Sequence, residues 1–255
     1  MASSSTAGST GPLYDVRVIF TREIAAYFDS SIAYVFASVF LLLSGSIFMN
    51  SFFLNSIVDM SEYFRMLPLL LLLAIPAITM RTWSEEHAQG TFELLMTLPL
   101  RSFPVVLGKY LACLSFYLLV LAGSFPIVLM LIWLGQPDLG LIASSYLGGV
   151  FLGACFLALG VFISGISGEQ IVTFMLSAFA CSLLVLSGHE KVVEVLDGLA
   201  PARQIGTWLY DSVSVIPHYE AFCRGVVSLG DVIYFVSLII FFLVMNEITL
   251  RLSRY

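Results

Sequence analysis

Long apolar runs separated by charged residues are the dominant pattern of this chain. A helix that crosses a bilayer needs about 20 apolar residues, and scanning between the charges finds about six runs near that length. The predicted spans are residues 30–58, 66–80, 109–138, 138–169, 169–190 and 232–246, the last ending near Leu250. The pattern predicts an all-α, polytopic membrane protein with about six transmembrane helices.

Two segments outside these runs have helical patterns of their own. Segment 14–28 is an amphipathic helix whose apolar face carries Phe20, Ile24, Tyr27 and Phe28. Such a helix is either an N-terminal interfacial helix, which lies along the membrane surface, or an extension of the first span. Segment 189–230 predicts short extracytoplasmic helices before the last span, with breaks at Gly198 and Pro201.

The composition supports the membrane assignment. The chain has 59% hydrophobic and only 11% charged residues, with a mean hydropathy of +0.99, whereas a soluble domain has about 25% charged residues. The lipid bilayer is therefore an expected partner. Nucleic acid is not, because no basic patch is present. The four cysteines have no metal-binding spacing, so no metal site is expected.

The distribution of Lys and Arg predicts the orientation, because cytoplasmic segments carry an excess of both. An even number of spans puts both termini on one side. That side holds seven of the eleven basic residues: Arg17, Arg22, Arg81, Arg101, Lys109, Arg251 and Arg254. Both termini and segment 81–104 are therefore predicted to be cytoplasmic. Residues 1–12 are predicted to be a disordered leader, and residues 13–255 a single transmembrane domain.

Segment 81–104 is the most polar long stretch between spans. Ser84 is suited to begin a short helix that Gly90 ends. Thr91 is suited to begin a second helix, which Pro99 stops. The apolar face of this second helix consists of Phe92, Leu95 and Met96. The pattern alone fits equally well a docking element for a soluble partner and a hairpin that lies on the membrane surface.

A resemblance to a known family favours the docking element. The stretch "EEHAQGTFELLMTLPL" (85–100), followed by "VVLGKYLA", resembles the cytoplasmic loop of ABC-2-type transporter permeases. That loop has the pattern E-x-x-x-G-T-x-E-x-L-x-x-x-P, which is matched here by Glu86, Gly90, Thr91, Glu93, Leu95 and Pro99. "SGEQIV" (167–172) and "PHYEAFCRGVVSLGDVIYF" (217–235) are similar to the gliding-motility-type branch of this family.

The resemblance implies a multi-pass permease of the bacterial inner membrane whose segment 81–104 contains a cytoplasmic coupling helix. The implied partners are a cytoplasmic ABC ATPase, a second permease that is identical or related, and an auxiliary membrane subunit with a large extracytoplasmic domain. The chain has no phosphate-binding loop of its own. It is therefore not expected to be an enzyme or to bind a cofactor, and ATP and Mg²⁺ would be bound by the partner ATPase.

Specific contacts with the ATPase follow as a hypothesis. Phe92, Leu95 and Met96 would be the apolar contacts, and Glu86 and Glu93 would meet basic or backbone donors. Two alternatives remain. In the first, the permease is a mechanotransmitter that acts on the auxiliary subunit without moving a solute. In the second and weaker alternative, the sequence "GISG" (165–168) belongs to an intramembrane serine protease with Ser167 as its nucleophile.

Two further sets of residues are candidates for structural roles. Small residues recur along the fourth span, where they permit close helix approach inside the molecule or at a dimer seam; they are Gly149, Gly153, Gly160 and Ser164. A polar cluster is predicted outside the last span, either as a salt-bridged loop or as a substrate contact, and comprises His218, Arg224 and Asp231.

Overall fold

The computed structural model describes residues 12–55, 59–88, 90, 102–199 and 205–252. All regular secondary structure in these ranges is helical. The helices are α1 (Pro12–Asp29), α2 (Ser31–Asn55), α3 (Ser61–Thr79), α4 (Ser84–Ala88), α5 (Ser102–Ala122), α6 (Phe125–Leu134), α7 (Leu139–Ile166), α8 (Gln170–Leu186), α9 (Glu190–Leu199), α10 (Ile205–Ser212), α11 (Ile216–Cys223) and α12 (Leu229–Leu252).

Five helical segments within the described ranges are long and apolar enough to cross a membrane. They are Ser31–Leu54, Ser61–Ala88, Ser102–Leu134, Leu139–Ile166 and Leu229–Leu252. Helices α8 and α9 pass the same test only as a pair, and the chain bends by 81° between them. The prediction of an all-α chain with about six membrane-crossing segments is therefore confirmed as five or six.

The third segment begins earlier than the charges suggested. Helix α5 starts at Ser102, so Lys109 lies about two turns inside it rather than at its edge. Three apolar residues before Lys109 are buried in the bundle, namely Pro104, Val105 and Val106, and the helix therefore extends past the charge. The segment is also broken between α5 and α6, where Ser124 begins the second helix and Pro126 occupies its first turn.

Long-range contacts define the two ends of the bundle. We call the end with α4, the start of α5 and the α7–α8 junction the loop end, and the end with α9, α10 and α11 the far end. Helix α12 returns to the loop end, where the Asn246 amide donates to the Val161 carbonyl at 3.1 Å. Helix α1 reaches the same end through an ion pair between Arg22 and Glu86. Both described ends of the chain therefore lie at the loop end.

Helix α7 is the central helix, and its glycines allow close contact with its neighbours. A Cβ atom at Gly149 would lie 2.9 Å from Leu67 of α3, and one at Gly153 would lie 2.3 Å from the Tyr117 ring of α5. The Tyr117 hydroxyl also donates to the Gly149 carbonyl at 2.7 Å. Side chains other than hydrogen could not be accommodated at these crossings without displacing a neighbour.

Helix α1 packs lengthwise on the first half of α5. Ile19 covers Gly108, where a Cβ atom would lie 2.9 Å from the Ile19 side chain, and Tyr27 stacks on Phe116 with ring centroids 5.1 Å apart. Tyr27 of the predicted apolar face lies in this contact, and Phe28 is exposed. Glu23, spaced four residues from both Ile19 and Tyr27, lies on the packed face and forms charged contacts there.

Candidate functional site

The start of segment 81–104 is held rigidly by the bundle. We call residues 80–88, which comprise the turn after α3 and helix α4, the loop stem. Helix α4 begins at Ser84 and is ended by Gly90, which has a φ of +66°, a conformation that favours glycine. Ser84 is the first residue of α4 rather than a cap, because its hydroxyl bonds with other helices.

A group of four charges, of which three are mostly buried and one is half-exposed, lies between the loop stem and helices α1 and α5. We call Arg22, Glu23, Glu86 and Lys109 the ion cluster. Lys109 Nζ lies 2.9 Å from Glu23 Oε1 and 3.1 Å from Glu86 Oε1. Arg22 Nη2 lies 2.6 Å from Glu23 Oε1 and 2.7 Å from Glu86 Oε1. Each carboxylate thus contacts both cations, and the formal charges sum to zero.

Lys109 is the most deeply buried member of the ion cluster, with 1% of its side chain exposed. Its ammonium donates to the Thr82 carbonyl at 2.7 Å and lies 4.8 Å from the centroid of the Trp83 ring. A buried ammonium is costly unless it is paired and hydrogen-bonded. Two carboxylates, a carbonyl and an aromatic face together meet that requirement, the last through a cation–π contact.

The cations of the ion cluster stabilise the charged form of Glu23. Burial alone would raise the pKa of this carboxyl group, but the Lys109 ammonium and the Arg22 guanidinium together hold it below its ordinary value. Glu23 is therefore a carboxylate at neutral pH. The attraction between α1 and α5 is present at that pH.

The opposite side of the loop stem bonds to α7 and α8. The Trp83 backbone N–H donates to Ser164 Oγ at 3.0 Å, and the Ser84 hydroxyl bonds with that of Thr173 at 2.9 Å. Thr173 also bonds with the hydroxyl of Ser167 at the α7–α8 junction. The stem therefore has polar bonds to α1, α5, α7 and α8.

The predicted coupling residues fall into two groups. Glu86 belongs to the ion cluster, and only 12% of its side chain is exposed. Its carboxylate is engaged by Arg22 and Lys109 of the same chain, and its contact with donors on a partner protein stays a prediction. The remaining predicted coupling residues except Gly90 lie outside the described residues: Thr91, Phe92, Glu93, Leu95, Met96 and Pro99.

The small residues predicted on α7 face other helices of the same chain. Gly149 lies against α3 and Gly153 against α5, as described above. A Cβ atom at Gly160 would lie 2.4 Å from Thr79 Oγ1 at the end of α3. Ser164 has a different role, because its hydroxyl receives the Trp83 N–H. Ser164 thus contacts the loop stem, and Gly160 contacts Thr79, the residue that precedes the stem.

The predicted polar cluster at the far end forms only in part. His218 Nδ1 lies 2.6 Å from Asp231 Oδ1, which joins α11 to the start of α12. The His218 ring also stacks on Tyr234, with centroids 4.0 Å apart. Arg224 instead pairs with Glu220 of its own helix at 2.9 Å. The structure therefore brings together His218 and Asp231, and leaves Arg224 on the exposed surface.

The ion cluster was not predicted from the sequence. Arg22 and Lys109 were expected only to mark the cytoplasmic side, and Glu23 had no predicted role. The available signal was the spacing of Glu23, which lies four residues from both Ile19 and Tyr27 on a helix with an apolar face.

Comparison with protein-family models and with curated proteins gives no match for this chain.

Proposed function

We propose that this chain is the permease subunit of an ATP-driven ABC-2 transporter of the bacterial inner membrane. In this proposal the loop end faces the cytoplasm, and residues 91–100 dock on a separate ATPase that binds ATP and Mg²⁺. A second permease, identical or related, completes the complex. The permease itself carries out no covalent chemistry and converts movement of the ATPase into movement of its spans.

The observation that carries the proposal is the attachment of the loop stem to four helices. An element that only turned the chain at the membrane surface would not require a group of four charges built around a buried lysine. A charge-assisted hydrogen bond contributes about 1.5–3 kcal/mol. The two pairs of the buried Lys109 fall in this class, whereas the two pairs of the half-exposed Arg22 contribute less because water screens them. The stem, the first half of α5 and α1 would therefore move together.

Force applied to residues 91–100 would follow two routes from the loop stem. One route runs through the ion cluster to α1 and α5, and the other through Ser84 and Trp83 to α7 and α8. Since α7 is central, a shift at Ser164 reaches the helices packed on its glycines. The same routes serve solute export and the transmission of force to an auxiliary extracytoplasmic subunit, so the proposal covers both.

A double substitution in the docking segment tests this function. Glu93→Arg with Leu95→Asp reverses a charge and removes an apolar contact, and we expect it to weaken ATPase binding by about tenfold or more. The measurement is co-purification with an ABC ATPase of the same organism, together with permease-stimulated ATP hydrolysis in nanodiscs. Both signals should fall, while the amount of folded permease stays unchanged.

The matched control makes the same chemical changes at the far end. Glu194→Arg with Val195→Asp alters two exposed positions of α9 and should leave ATPase binding and stimulated hydrolysis intact. If the Glu93 and Leu95 variant retained both signals, residues 91–100 would not be the docking segment and the proposed function would be wrong.

A further inference from the structure

A cavity of about 90 Å³ opens beside the ion cluster, at the junction of α1, α2 and α3. It lies at the start of the candidate span Ser31–Leu54, where the polar end of the bundle meets its apolar part. Its lining combines polar side chains with an apolar wall, and includes Ser30, Arg81, Glu85, Ile32, Ala33 and Phe36. The proposed transport function does not use this cavity.

Arg81 supplies positive charge and spare hydrogen-bond donors. Its Nη1 donates to Ser30 Oγ at 2.7 Å, and its Nη2 donates to Glu85 Oε1 at 3.1 Å. A guanidinium has five N–H donors, and among the described residues the buried Nε–H of Arg81 has no acceptor. Buried donors are rarely left without an acceptor, so the cavity is suited to a ligand with several acceptor oxygens, such as a phosphate.

The cavity also offers negative charge. Glu85 has 41% of its side chain exposed and is paired with Arg81, and Glu23 of the ion cluster forms part of the same lining. A simple anion would meet Arg81 but would be repelled by two carboxylates. A ligand with a phosphate and an ammonium group close together would pair with both the Arg81 guanidinium and the carboxylates.

The apolar wall extends from this polar end along α2. Ile32 has 45% of its surface exposed, and Ala33 and Phe36 continue the lining toward Phe116 of α5. The cavity is partly open, so a small head group can occupy it while the rest of the ligand extends outside. An apolar surface that begins directly below a charged cavity suits a lipid with its chain along α2.

We propose that this cavity binds the head group of a phosphoethanolamine lipid. The phosphate accepts hydrogen bonds from Arg81, the ammonium donates to Glu85, and the acyl chain lies against Ile32 and Phe36. A choline head group has no N–H to donate to Glu85, and a phosphoglycerol head group has no positive charge to pair with Glu85. Since Arg81 begins the turn of the loop stem and Glu23 belongs to the ion cluster, the bound lipid stabilises the stem.

Native mass spectrometry with added lipids tests the proposal. The delipidated protein is titrated with phosphatidylethanolamine, phosphatidylglycerol or phosphatidylcholine that carry the same acyl chains. We expect phosphatidylethanolamine to bind about tenfold more tightly than phosphatidylcholine, the difference that one charge-assisted hydrogen bond makes. Arg81→Gln and Glu85→Gln should remove this preference, and Ala33→Leu, which fills the cavity, should lower the affinity for all three lipids.

Arg65→Gln is the matched control, since Arg65 is an exposed arginine on α3 at the opposite end of that helix. It should bind phosphatidylethanolamine as the unaltered chain does. Equal affinity for the three lipids, or unchanged binding in Ala33→Leu, would overturn the proposal even if Arg81→Gln failed to fold. Displacement of the lipid by inorganic phosphate alone would overturn it too, because the site would then be a phosphate site.

Discussion

Lys109→Met is expected to destabilise the protein by about 3–5 kcal/mol, the usual cost of removing one partner from a buried ion pair. Methionine fills a similar volume, so the loss arises from charge rather than from a cavity. Glu23 and Glu86 would be left close together, with only the half-exposed Arg22 between them. Thermal unfolding of the purified protein in detergent, followed by tryptophan fluorescence, measures the change.

Two controls separate the ion cluster from a general sensitivity to lost charge. Arg65→Met removes an exposed cation that pairs with Glu62 at 3.9 Å, and exposed pairs contribute roughly 0–1 kcal/mol. Adding Glu23→Gln and Glu86→Gln to Lys109→Met removes the uncompensated carboxylates and should recover much of the stability. Unfolding of Lys109→Met at the same temperature as Arg65→Met would show that the ion cluster does not hold α1 and α5 together.

Gly153→Ala is expected to destabilise the bundle by about 1–3 kcal/mol through overpacking. The new Cβ atom would lie 2.3 Å from Tyr117 Cε1 and Cζ, and Tyr117 is buried with its hydroxyl bonded to the Gly149 carbonyl. The ring cannot move away without breaking that bond. The unfolding temperature in detergent measures the cost.

Gly45→Ala is the matched control for this substitution. Gly45 also lies within a membrane-crossing helix, α2, but a Cβ atom there meets no other atom within 4 Å. The same substitution should be neutral or slightly stabilising there, because alanine has the higher helix propensity. If Gly153→Ala and Gly45→Ala changed the unfolding temperature equally, α5 and α7 would not be packed as closely at Gly153 as described here.

The membrane-crossing helices could be predicted from the sequence because burial in lipid depends on apolar length. The run 138–169 became α7 with an error of one residue at its start and three at its end. Its start was predictable because Asp138 caps the helix through the Gly140 and Leu141 N–H groups. The start of α5 was harder to predict. Lys109 does not mark the end of the helix, because it is buried and paired with residues of α1 and the loop stem.

The candidate site could be predicted only in part, because its contacts join residues distant in sequence. Local pattern identified Gly90 as a helix end, and the φ of +66° agrees. Local pattern could not pair Lys109 with Glu23, which is separated from it by 86 positions. A charge within an apolar face can mark either solvent exposure or a buried partner, and only the three-dimensional contacts distinguish the two.

The side of the membrane that the loop stem faces is the most direct test of the proposed function. In a Cys223→Ser background, where the remaining cysteines are buried, Ala88→Cys places one exposed thiol on α4 and Val226→Cys places one at the far end. A membrane-impermeant maleimide should label Val226→Cys in intact cells and Ala88→Cys only in inside-out vesicles. Labelling of Ala88→Cys in intact cells would contradict the proposal, since no cytoplasmic ATPase could then reach the loop end.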